Sequence, residues 1–293
     1  MILVTGATGL NGRALIERLS ARGVPARALV RSLAKAEALS TLPKLEIVEG
    51  DMARPDTLAR ALHGVDRAML ISSSDPAMLD VQSSFIDAAR KAGVAHVVKL
   101  SGIMPELDSP FRFARMHGEI ERRLKASGMA FTHLRAGEFM PAYFRQVPSI
   151  VAKSALFLPM ENARIASIDV GDIAEVAATV LTTPGHEGKI YPLTGPEALT
   201  MTEVAERLST ATGKVIRYVD VAPEDARKAQ LAAGMPPYLA DALAELFAER
   251  RRGKESQVSP AVQMILGRRP TSFAEFARRN AAVFRGEPPP PAA

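Results

Sequence analysis

Apolar residues fall in short unbroken runs through the first half of the chain, and between those runs they recur at helical spacing. Strands are expected at Ile2 to Thr5, Ala26 to Val30, Leu45 to Glu49, Arg67 to Ile71, His96 to Leu100 and Phe131 to Leu134. Helices are expected between them, at Leu10 to Arg22, Leu33 to Leu42, Pro55 to His63, Ala77 to Ala92 and Phe111 to Ala126. Gly23–Val24–Pro25 supplies the stop after the first helix. Strands that are apolar without alternation are buried on both faces. Helices lying between such strands therefore predict a parallel sheet covered on each side.

The second half reads differently. One more strand–helix step is expected at Ile165 to Ile168 and Val170 to Leu181. Strands at Lys189 to Leu193 and Val215 to Val219 flank a helix at Met201 to Thr212, and helical spacing dominates from Pro223 to Phe284. The expected division is a first domain over residues 1–152 and a smaller lobe over 153–285, with 163–182 returning to the core. Residues 286–293 hold four consecutive prolines and are expected to be a disordered tail.

Composition narrows the chemistry. Among 293 residues there is no cysteine, which excludes disulfides, thiolate catalysis and cysteine–zinc sites. The N-terminus MILVTGATG lacks the features of a signal peptide, and no apolar run reaches bilayer length. A cytoplasmic protein without membrane partners is expected. The net charge of +5 is small and its arginines are spread out, so no nucleic-acid partner is expected. The densest basic cluster, Arg250, Arg251, Arg252 and Lys254, falls at an expected helix C-terminus, where cations are favoured in any case.

The strongest motif is Gly6–Ala7–Thr8–Gly9–Leu10–Asn11–Gly12, directly after the first strand and opening the first helix. In that setting Gly6 permits a tight turn, Gly9 admits a pyrophosphate, and Gly12 lets helix and strand pack closely. The helix N-terminus adds unpaired N–H groups and a positive dipole end. With the alternating pattern, this predicts an α/β, Rossmann-type doubly wound parallel sheet that binds a nicotinamide dinucleotide, with a smaller, mainly helical C-terminal lobe. The second strand ends in Arg31, with Lys35 nearby, where NAD sites carry an acid. NADPH is therefore expected to be preferred over NADH. Asp51 and Met52 follow the third strand; Asp51 can accept from an adenine amino group or cap the next helix. Ser72, Ser73 and Ser74 follow the fourth strand, and Ser101 ends the fifth.

On the helix from Phe111, His117 and Glu121 lie four apart beside the apolar stripe. Such a pair can donate a proton, with the acid raising the histidine pKa, or can be an ordinary contact on a helix edge. The remaining histidines show no metal-ligand spacing, and no metal is expected.

The segments GATGLNG, VRSLAKA, LISSS, HGEIERRLKASGMAFTHLRAGEF and GHEGKIYPLTG resemble the NmrA-like atypical short-chain dehydrogenase/reductases. Within that group they are most similar to type 2 NADPH:quinone oxidoreductases, triphenylmethane reductases and NmrA-like azoreductases. The resemblance implies that Gly6, Thr8, Gly9, Asn11 and Gly12 hold the pyrophosphate, and that Arg31 holds the 2′-phosphate. It implies that Ser72 to Ser74 line the dinucleotide groove, and that Arg135, Ala136, Gly137, Glu138 and Phe139 flank the nicotinamide. It also turns His117 and Glu121 from surface pair to site residues. The tyrosine–lysine pair of standard superfamily members is missing from this helix, which argues against alcohol–ketone redox chemistry and epimerisation. Many relatives also carry proline where Ala136 stands, and an asparagine near Ala142. The implied activity is hydride transfer from NADPH to a small conjugated electron acceptor, a quinone, azo compound or triphenylmethane dye. Met104, Phe139, Met140, Tyr143 and Phe144 are candidates for an apolar acceptor pocket or, equally, for lobe core. The competing expectation is a non-catalytic NADP(H)-binding sensor. A monomer or a homodimer fits either.

Overall fold

The computed structural model describes residues 1–287. The chain begins with β1 (Ile2–Val4), α1 (Leu10–Ala21), β2 (Ala26–Val30), β3 (Leu45–Glu49), α2 (Leu58–Leu62), β4 (Arg67–Leu70), α3 (Met78–Lys91), β5 (His96–Gly102), α4 (Arg112–Ala126) and β6 (Ala130–Ala136). It continues through α5 (Val147–Lys153), β7 (Ala155–Leu158), α6 (Val170–Thr182), β8 (Lys189–Leu193), α7 (Met201–Thr212), β9 (Arg217–Asp220), α8 (Pro223–Ala232), α9 (Pro237–Arg251), α10 (Ala261–Leu266), α11 (Phe273–Arg279) and α12 (Ala281–Phe284). The chain divides into two units. Unit 1 comprises Met1–Ala136, Val170–Pro192 and Met264–Gly267, and unit 2 takes Gly137–Asp169, Leu193–Gln263 and the rest from Arg268.

Unit 1 carries a sheet ordered β3-β2-β1-β4-β5-β6-β8, in which every pair from β3 to β6 is parallel. Strand order reverses at β1, which has β2 on one side and β4 on the other. The carboxyl edge at such a reversal is where open α/β sheets hold ligands. Thr5 fixes this edge: its hydroxyl donates to the Ile71 carbonyl at 2.7 Å and accepts the Ile71 N–H at 2.8 Å. Leu15, Ile16 and Leu19 form the buried stripe of α1, which packs against α6. Glu175 of α6 ties the pair further, accepting from Arg18 at 2.9 Å and from Arg22.

Unit 2 is mainly helical around the short parallel pair β7–β9. Its core joins Met140, Tyr143, Leu156, Phe247, Phe273, Phe276 and Phe284. Capping boxes start two of its helices, Thr200 with Glu203 on α7 and Ser272 with Glu275 on α11. Buried Arg250 binds Glu138 and, at 2.9 Å, Glu255. The basic cluster at the end of α9 thus includes one arginine held inside unit 2 rather than offered to solvent.

Several local expectations shift. The first segment of unit 1 ends at Ala136, with β6, where a boundary at 152 was expected. The returning segment begins at Val170 rather than 163 and extends to Pro192 in β8. Leu33–Leu39 winds as a 3₁₀-helix and Pro55–Thr57 as a 3₁₀ turn ahead of α2; neither Ser32 nor Arg54 provides a side-chain cap. Residues 165–168 make only isolated bridges, Ile165 to Leu199 and Ile168 to Phe139, because their two ends pair with different partners. The sequence pattern did not foretell β7. The expected tail falls, from residue 288 onward, outside the described residues.

Candidate functional site

The glycine turn is built as a cradle. Gly6 has φ +59°, and a Cβ there would press on Ile71 at 3.0 Å. A Cβ on Gly12 would lie 2.2 Å from the Gly6 carbonyl oxygen, so the residue is what lets α1 sit against the turn. Gly9 differs from both: a Cβ there would meet only the Gly6 carbonyl, at 3.3 Å, and would otherwise enter open space. As the N-cap of α1, Gly9 offers no side-chain acceptor to the first N–H groups of the helix. The buried Asn11 Oδ1 finds no partner among the described residues. A cradle that one Cβ would fill, open helix N–H groups and an orphaned polar atom together fit a phosphate-bearing ligand.

A groove of about 530 Å³ runs along this edge. Gly6, Thr8, Gly9, Leu10, Asn11, Arg31, Asp51, Met52, Ser72 and Ser73 all line it. Gly12, Lys35, Ser74 and Ser101 are not in its lining. Gly12 is buried behind the turn, and Lys35 is exposed on the 3₁₀-helix. Ser74 gives way to Asp75, which lines the groove and whose Oδ1 accepts the Ala77 N–H at 2.9 Å. Asp51 likewise lines the groove while its Oδ1 accepts the Ala53 N–H at 3.0 Å, fixing the turn after β3. Gln82 donates to Ser72 Oγ at 2.8 Å and so orients that hydroxyl.

The register of β4 on β5 pairs Leu70 with Lys99. Two positions further along β5 lies Ser101. The next residue of β5, Gly102, leaves room for His117, whose ring would stand 3.0 Å from a Cβ at that position. Period two puts Lys99 and Ser101 on one face of β5, opposite His133 and Arg135 on β6. Helix α4 covers that face with His117 and Glu121.

Here the expected pairing is corrected. Glu121 does not hold His117: its carboxylate takes the Arg135 guanidinium in a two-pronged contact, at 3.1 and 2.6 Å. Burial raises the Glu121 pKa, but the Arg135 bond and the His133 and Ser101 contacts outweigh it, and the group stays below its usual range. The partner of His117 is instead Lys99, whose Nζ lies 2.8 Å from His117 Nδ1 and 3.2 Å from the Leu100 carbonyl. Burial, then the Lys99 charge, hold the His117 pKa well below the ordinary imidazole value. His117 is therefore a neutral imidazole and not the imidazolium that an acid neighbour would have made. Lys99 is completely buried, and burial lowers it to about 7 against the raising field of Glu121. The sequence places Lys99 with Leu100 and Ser101 at the end of the fifth strand, on the nicotinamide side, but spacing gave it no partner and no role.

The remaining candidates divide between the units. Ala136 closes β6 in unit 1, whereas Gly137, Glu138 and Phe139 belong to unit 2. Met104 is half-buried in unit 1. Met140 and Tyr143 are core residues of unit 2, and Phe144 packs on that core. Unit 2 also contains a largely apolar cavity of about 700 Å³, with Tyr143, Met160, Met201, Phe247 and the Glu138–Arg250 pair in its wall.

A parallel sheet with its reversal at β1, a glycine turn opening α1 and a groove on that edge define a dinucleotide-binding Rossmann protein. The chain belongs to the NmrA-like family, which it matches over residues 1–277. It is 39% identical over 284 residues to the NAD(P)H azoreductase of Xenophilus azovorans, covering 97% of this chain and 99% of that one. Its fold superposes with a TM-score of 0.87 on the NADPH-dependent quinone oxidoreductase of Escherichia coli complexed with NADPH, at 32% identity, over 94% of this chain and 98% of that one. The Citrobacter sp. triphenylmethane reductase complexed with NADP(H) gives the same TM-score at 27% identity, over 96% and 100% of the two chains.

Proposed function

We propose that this protein is an NAD(P)H-dependent reductase of quinones or of azo and triphenylmethane dyes, with NADPH as its preferred cofactor. The observation that carries the reading is the groove of unit 1, where the open N-terminus of α1, the Gly9 cradle and Arg31 line one wall. The relatives reported above support the same chemistry. The nicotinamide, when bound, supplies a hydride. The first turn of α1 would hold the pyrophosphate, and Arg31, at the end of β2, would pair with a 2′-phosphate. The tyrosine–lysine pair of alcohol dehydrogenation is absent, and a conjugated acceptor does not require it. Such an acceptor takes hydride at an electron-poor atom and leaves a stabilised anion or a neutral product, so orientation does most of the catalytic work. His117 would meet that anion with its Nε2–H.

The test is direct. The purified protein is mixed with NADPH or NADH and a panel of quinones, azo dyes and triphenylmethane dyes, and nicotinamide absorbance is followed. Saturable oxidation, faster with NADPH at limiting concentration, is the expected result. Tight dinucleotide binding without turnover across the panel would overturn the reading in favour of a non-catalytic sensor.

A further inference from the structure

We propose that Lys99 is the proton reserve of the site and the residue that sets the tautomer of His117, an inference that rests on the reductase reading above. Lys99 Nζ stands 2.8 Å from His117 Nδ1. An ammonium has donors only, so Nδ1 must accept, and a neutral imidazole that accepts at Nδ1 carries its proton on Nε2. Nε2 lies at the ring edge that faces Gly102 and makes no hydrogen bond to the described residues, so the Nε2–H is the proton left free to be given. Lys99 itself is sealed from solvent. Its ammonium therefore exchanges protons through the imidazole.

The chemistry balances. After hydride has been delivered, the acceptor holds two more electrons and a negative oxygen or nitrogen. That atom takes the proton from His117 Nε2. Nδ1 takes one from Lys99 Nζ, breaking an N–H bond there and forming one on the ring. The imidazole ends neutral with its tautomer reversed, Lys99 ends as a neutral amine, and the product is protonated. When product leaves, one proton from water at Nε2 restores both groups. The surroundings suit a lysine that gives up its proton. Glu121 on α4 favours the charged form, Arg135 on β6 opposes it, and burial opposes it most. His133, the β6 partner of Lys99, is held neutral, and Leu70, its β4 partner, is apolar. Lys99 acts through His117 and is thus a positioning and relay residue.

Two measurements test this, one of them independent of turnover. Nitrogen-15 NMR of the wild-type protein should show His117 as the Nε2–H tautomer with Nδ1 accepting below about pH 7. In Lys99→Met that preference should be lost, while NADPH affinity stays unchanged. In the wild type, kcat with a quinone that is reduced to a basic anion should fall about tenfold per pH unit above pH 7. Lys99→Met should be about ten- to a hundredfold slower at pH 6, with a flat profile from pH 6 to 9. An Nδ1–H tautomer in the wild type, or a wild-type pH profile in Lys99→Met, would overturn the proposal. Absence of turnover with every acceptor would overturn the reductase reading instead, and the tautomer measurement would still judge the role of Lys99.

Discussion

Three glycines in one turn perform three different tasks, and only at Gly9 would a side chain enter open space. Gly6 is required by its backbone angle and Gly12 by contact with the turn, whereas the missing side chain of Gly9 leaves open space. Gly9→Val should therefore leave a folded protein that no longer binds dinucleotide, because a branched side chain would stand where a pyrophosphate must lie. Circular dichroism paired with a cofactor titration checks both halves, and unchanged affinity would remove the turn from the site. Arg31 is exposed and lines the groove, so replacing it is expected to change recognition rather than stability. Arg31→Ala should weaken NADPH by roughly tenfold to a hundredfold, equivalent to roughly 1.5–3 kcal/mol, and leave NADH nearly unaffected. Titration of both cofactors decides it. The glycine turn was legible in the sequence because backbone chemistry dictates it: a turn of this geometry directly after a strand admits few other residues.

The β5–α4–β6 element shows where legibility stopped. Spacing placed His117 and Glu121 on one side of a helix, and they are there. Spacing says nothing about what a neighbouring strand offers to each, and β6 offered an arginine to Glu121 while β5 offered a lysine to His117. A bidentate Arg–carboxylate contact is the stronger attraction, and it left the histidine to the other cation. The face that these strands present is buried and partly charged, and that makes the element sensitive to acid. His133 is fully buried, and burial lowers its pKa from 6.5 to about 4. Between those values the unfolded chain binds a proton that the folded chain refuses, so stability falls as the pH drops through this window. The shift of about 2.5 pH units corresponds to roughly 3 kcal/mol. Burial lowers His96, His117 and His186 in the same direction, so their contributions add to the slope. Urea unfolding midpoints measured from pH 7 to 4 should fall in the wild type, and should fall less steeply, by about one proton, in His133→Gln. An equal slope in the two proteins would show that His133 does not titrate as described.

At the scale of the whole molecule, the alternating apolar runs were enough to give the parallel sheet, while its strand order is seen only in the structure. They did not give the division into units, because that depends on which segments return. The chain passes between the units five times, after residues 136, 169, 192, 263 and 267. Among the described residues, Leu193 onward to Gln263 is the longest stretch of unit 2, and it follows the last strand of the unit 1 sheet. The apolar stripe of α1 is matched by α6, which is synthesised some 150 residues after it. Residues 1–136 carry the complete glycine turn and the six parallel strands, but not α6 or β8. Expressed alone, that fragment should aggregate or remain partly unfolded despite containing every predicted phosphate contact; a monomeric, cooperatively melting fragment would contradict this. On the ribosome the same connectivity imposes an order of events. A nascent chain that has emerged through β6 lacks the α6 partner of α1, and Arg18 and Arg22 lack Glu175, until Val170–Thr182 leaves the exit tunnel. The residues that line the groove are all made before α6, so the wall that carries them is complete in sequence long before α1 gains its helical partner.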